Sequence, residues 1–105
     1  MKLTGHAEAQ RRSRKIGMGE IDRTLLDPER ARESLNRDGS SRGSYIFTKH
    51  VQLRDEVRRI KVVFSFTTDD DTVVITVGDY MPVDGEKRDI RVDESVLERA
   101  ARSVL

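Results

Sequence analysis

The chain has 105 residues, 37% charged and 35% hydrophobic, with no cysteine and a formal net charge of +1. That suits one domain with a small core. It excludes disulfides and thiolate metal sites, and no run approaches the ~20 apolar residues of a membrane span. No secretory pattern opens the chain, so the plain expectation is a cytoplasmic protein of bacterial type.

Thr4 is an N-cap for a first helix over 5–15, broken by Gly17. A second helix is predicted from Glu20 to Leu26, with Ile21, Leu25 and Leu26 as its apolar side, and Asp27-Pro28 ends it. Residues 30–36 read as an ambiguous strand, and Asn36 to Gly43 as a loop rich in Gly and Ser. Ser44–Leu53 is a strand with Tyr45, Phe47 and Val51 on one face, followed by a turn at Arg54-Asp55-Glu56. Arg59–Thr67 alternates, placing Ile60, Val62, Phe64 and Phe66 together. A hairpin turn at Thr68–Asp71 leads into the β-branched strand Thr72–Val77. Residues 79–92 are polar, with a turn around Pro82 and Asp84-Gly85. Asp93 caps a last helix whose stripe is Val96, Leu97, Ala100, Ala101, Val104 and Leu105. Helices and strands are segregated, which predicts an α+β domain. Two N-terminal helices and a C-terminal helix pack on an antiparallel sheet of three to four strands.

Charge is unevenly spread. Residues 1–61 hold 15 Lys/Arg against 9 Asp/Glu, and residues 62–105 hold 5 against 10. A basic first part points to an anionic partner, or to attraction towards the acidic part of this chain or of a neighbouring subunit. On a helical wheel of the first helix, His6 groups with Ala9, Ser13 and Ile16 on the side expected to face the protein, with Arg14 at the boundary. Arg11, Arg12 and Lys15 then point outward, either as a phosphate-binding strip or as ordinary solvated charge. His6 is either a hydrogen-bonded structural histidine or a general acid or base. In the sheet, His50, Thr48, Arg59, Lys61 and Thr76 fall together on a face that could hold a polyanion or simply meet water. Arg42, in the long loop, could also grip a phosphate. There is no glycine-rich phosphate loop, and two histidines 44 positions apart are a poor start for a metal site. Asp69-Asp70-Asp71 lacks calcium-loop spacing and is expected to keep its turn soluble.

His6-Ala7, Arg14, Ile16, Ile21, Leu25 and Pro28, followed by the strand Val74-Ile75-Thr76-Val77, resemble a bacterial family of unknown function related to RelE-type and BrnT-type toxins. The likeness covers about residues 3–80, and Gln10 stands where many relatives carry arginine. It implies a RelE-like α+β domain over 1–80. Residues 81–105 form a C-terminal extension, part of the same domain or a contact for a dimer or partner. It further implies a toxin-type ribonuclease that needs no metal or other cofactor, with RNA as substrate and an antitoxin protein as partner. Of its motif residues, His6, Arg14 and Thr76 match here. Such cleavage activates a ribose 2′-hydroxyl and needs a base, an acid and cations around the phosphate. His6 or His50 would move the proton, and Arg14, Arg59 and Lys61 would hold the phosphate. Two rival readings stand beside it: a non-catalytic nucleic-acid- or protein-binding module, and an assembly protein that dimerises through the last helix.

Overall fold

The computed structural model describes residues 1–53, 55–80 and 88–105. In chain order the elements are β1 (Lys2–Leu3), α1 (Gly5–Ser13), α2 (Met18–Leu26), β2 (Arg30–Leu35), β3 (Ser41–Leu53), β4 (Glu56–Phe66), β5 (Thr72–Asp79), β6 (Asp89–Arg91) and α3 (Glu94–Arg102). Among the described residues the strands form one six-stranded sheet in the order β1-β5-β4-β3-β2-β6. The four inner strands are antiparallel, and β1 and β6 add to the two edges in parallel. The expectation of an antiparallel sheet of three to four strands is therefore wrong in both number and pattern. A strand of two or three residues has no periodicity to read, and these two exist because an inner strand offers them a ladder. The turn expected around Pro82 and Asp84-Gly85, and Arg54 of the earlier turn, lie outside the described residues.

The sheet has two unlike faces. On one, Phe47, Ile60, Val62, Phe64, Val74 and Val77 are fully or almost fully buried. α2 lies against β3 and β4, and α3 lies against α2. Ile21, Leu25, Val96 and Ala100 complete this core. The apolar stripe of the last helix is thus used on the chain's own core, with Leu105 left 91% exposed. A β-bulge between Val63 and Phe64 shifts the pairing with β5. It lets Val74 and Val77, three residues apart, both face inward, so Val74 and Thr76 lie on opposite sides although strict alternation would put them together.

Local chemistry sets the helix ends. Thr4 Oγ1 accepts the Ala7 amide at 3.1 Å, as its cap position requires. α2 starts two residues earlier than expected, because the Glu20 carboxylate reaches back to the Gly17 amide at 2.5 Å. The three consecutive aspartates do more than solubilise a turn. Asp71 takes the N-terminal ammonium at 2.6 Å, and Asp70, at φ 61°, takes Arg99 of α3 at 2.5 Å.

Candidate nucleic-acid interface

α1 does not sit on the sheet through an apolar stripe. It runs along the part of the β5 edge that continues beyond β1 and satisfies it with side chains. Thr4 Oγ1 donates to the Ile75 carbonyl at 3.3 Å, Gln10 Oε1 accepts the Val77 amide at 3.0 Å, and Arg14 Nη1 donates to the Val77 carbonyl at 2.6 Å. An unpaired strand edge invites aggregation, and here three polar side chains take the place of a further strand. Only Ala7 is fully buried on this helix. The wheel expectation is corrected in part: Ile16 is buried as expected, but Ala7 is the buried residue of the helix, Gln10 and the exposed Arg14 reach β5, and His6, Ala9 and Ser13 are exposed. His6 has no hydrogen-bond partner among the described residues.

The basic strip of α1 is largely spoken for. Arg11 binds Glu8 at 2.6 Å and Arg12 binds it at 2.9 Å. These two guanidinium groups hold the Glu8 carboxyl down at about 2. Lys15 adopts a left-handed backbone (φ 55°) at the helix end, and its carbonyl accepts from Arg58 at 2.8 Å. Arg58 also takes the Arg14 carbonyl and the Asp79 carboxylate, tying the end of α1 to β4 and β5. Arg42 bonds Asn36 at 3.1 Å in the β2–β3 turn. It stands eight residues along β3 from His50, roughly 27 Å at ~3.4 Å per residue, and so belongs to the other end of the sheet.

The second face of the sheet carries the remaining candidates. Among the described residues no helix or strand lies over it. Register places its side chains in rows across the strands. One row is His50 and Arg59; the next is Arg30, Thr48, Lys61 and Gly78; the third is Arg32, Ile46, Val63 and Thr76. Gly78 brings Arg14 into the middle row. A Cβ on Gly78 would stand 2.5 Å from Arg14 Nη1, so the missing side chain is what lets the guanidinium lie against β5 in the row that holds Lys61. Arg14, His50, Arg59, Lys61 and Thr76, which lie far apart in the chain, are thus gathered on one face. His6, Arg11, Arg12 and Arg42 are not on it. An open cleft of about 560 Å³, lined by Arg14, Lys15, Arg59 and Tyr80 among others, adjoins this face at Arg59.

His50 has the most defined chemistry. Its Nδ1 lies 2.9 Å from Glu29 Oε2, and its backbone amide donates to Glu29 Oε1 at 2.7 Å. Arg59 Nε, always a donor, points at His50 Nε2 from 3.0 Å. Nε2 must therefore accept, and the proton sits on Nδ1, donated to Glu29. Burial pushes the Glu29 carboxyl up, but the His50 ring and backbone N–H groups pull it down further, and it ends below its ordinary value. Sequence reasoning missed Glu29, because a lone glutamate in a charged chain carries no signal until the fold sets it beside His50. It also gave Thr48 no special role. Thr48 is 7% exposed, and its Oγ1 has no hydrogen-bond partner among the described residues.

No cluster of three or more His, Cys, Asp or Glu among the described residues could hold a metal ion. No described helix is long and apolar enough to cross a membrane. No protein-family model matches the chain, and no curated protein and no solved structure matches it significantly. The likeness to RelE-type and BrnT-type toxins rests on the residues quoted for it.

Proposed function

We propose that the protein binds RNA through the uncovered face of its sheet. One observation carries this reading: the fold collects Arg14, Arg32, Arg59 and Lys61 on a single face that no described element covers. None of the four bonds to a carboxylate among the described residues. Cations held this way attract a phosphate backbone without reading its sequence. The face offers half-buried Ile46 and Val63 between its charges, and the aromatic rings near it among the described residues are His50 and Tyr80, 6.2 Å apart. Stacking against bases is limited, so sequence preference is weak. The test is a fluorescence-anisotropy titration of a single-stranded RNA. Binding that survives Arg12→Ala but weakens with Lys61→Ala supports the reading, and binding indifferent to Lys61 rejects it.

A second reading adds cleavage, the toxin-type activity that the resemblance implies, and the Glu29–His50–Arg59 chain favours it. Glu29 fixes the tautomer that leaves a lone pair on Nε2. An arriving phosphate draws Arg59 off that lone pair, leaving it free to take a proton from a 2′-hydroxyl. In this reading His50 is the base and Arg59 and Lys61 hold the phosphate, while exposed His6 has no partner to orient it. Purified protein incubated with RNA in chelator supplies the test. Cleavage lost in a folded His50→Ala variant but kept in His6→Ala is the expected result; the opposite pattern moves the chemistry to α1.

A further inference from the structure

We infer that Thr48, Lys61 and Arg14 form a subsite for one tetrahedral oxyanion, the phosphate group of the polymer. This deepens the RNA-binding reading and rests on it for the identity of the ligand, though not for the existence of the site. A hydroxyl buried in an antiparallel sheet without a partner is an exception that calls for a cause, since buried polar side chains are normally bonded. Thr48 is such a case, and it does not sit in the helical core. Alternation along β3 puts it on the uncovered face with Ile46 and His50, between Arg30 on β2 and Lys61 on β4. Next in the same row, Gly78 leaves room for the Arg14 guanidinium. Arg14 spends Nη1 on the Val77 carbonyl, and its other N–H groups have no partner among the described residues. The Lys61 ammonium has none there either. The row therefore presents one hydroxyl donor and two cationic donors with unmet capacity, and an oxyanion is the ligand that satisfies all three. Among the described residues no helix or strand lies above the row. The Asp89 carboxylate, 3.8 Å from Arg30 Nη2, guards the far end of the row and sets the subsite on the Lys61 side. A phosphate held here stands two residues along the strand from His50, about 7 Å.

The experiment uses sulfate as the probe, because it is tetrahedral and does not titrate near neutral pH. Sulfate is added to ¹⁵N-labelled full-length protein while amide shifts are followed, for wild type, Thr48→Val and Thr48→Ser. The expected result is saturable shifts centred on Thr48, Lys61 and Gly78, with affinity about tenfold weaker in Thr48→Val and retained in Thr48→Ser. The valine variant is also expected to melt no lower than wild type, since it removes an unpaired buried hydroxyl and keeps the shape. Sulfate affinity unchanged in Thr48→Val, shifts confined to the α1 arginines, or no saturable shift would each overturn the subsite. RNA titrations run alongside separate the two readings. RNA binding without a Thr48-dependent sulfate site sinks the subsite alone. A sulfate site in a protein that ignores RNA sinks the polymer alone.

Discussion

The salt dependence of RNA binding tests the uncovered face most directly, because its slope counts the cations that meet phosphates. Arg14, Arg32, Arg59 and Lys61 have no carboxylate partner among the described residues, whereas Arg30 and Arg91 share Asp89. Four phosphate contacts give a slope of log K against log salt of about −2.8 for a single strand, and a loss of about 50-fold between 50 and 200 mM salt. Lys61→Ala removes one contact, so its slope is expected to be about −2.1 and its loss about 20-fold over the same range. Arg12→Ala is the control. That side chain is 76% exposed and paired with Glu8 on α1, so it counts in the composition but not in the slope. The assay is fluorescence anisotropy with one labelled oligonucleotide at four or five salt concentrations. A slope that Lys61→Ala leaves untouched, or that Arg12→Ala lowers equally, would refute the assignment of binding to the sheet.

Gly78→Ala is expected to push the Arg14 guanidinium off β5, weakening RNA binding without changing net charge. The stability cost should be near 1 kcal/mol, since the bond to Val77 is charge-assisted but made by an exposed side chain; urea denaturation and the same anisotropy titration check both. Glu29 has a carboxyl below its ordinary value in the fold, so the stability it contributes is present above the unfolded carboxylate value and lost as pH falls through the folded one. Thermal melts between pH 3 and 7 should show wild type losing more stability on acidification than Glu29→Gln, and parallel curves would contradict the Glu29–His50 bond. Phe64 is fully buried with its ring 4.7 Å from that of Phe47, so Phe64→Ala should cost about 3–5 kcal/mol by urea denaturation. Val57→Ala, at a side chain 54% exposed, should cost under about 0.5 kcal/mol in the same assay.

The parts of this fold that bury an alternating apolar face could be read from the chain. Ile60, Val62, Phe64 and Phe66 in β4, and Tyr45, Phe47 and Val51 in β3, announce both their strands and the side that faces inward. The parts held by hydrogen bonds to an edge could not. β1 and β6 have two and three residues and owe their place to ladders on β5 and β2. A wheel weighted by apolar residues finds Ile16 but misplaces His6 on α1, because the helix attaches through Ala7, Gln10 and Arg14, and two of those three are polar. The same limit hid the bulge, which reverses the side of Val74 relative to Thr76 with no mark in the sequence.

These misreadings share a cause that bears on the site. The resemblance pairs Arg14 with His6 as motif residues, and the fold separates them. It sends Arg14 over Gly78 into a row with Lys61 and Thr48, and leaves His6 exposed without a partner. His50 gains what His6 lacks, a carboxylate that fixes its tautomer and an arginine that holds its lone pair. A histidine can serve as a base only if something orients it, and of the two in this chain the sheet orients the one at position 50. If either histidine in this chain moves a proton, the geometry assigns that work to the sheet, where the cations already stand.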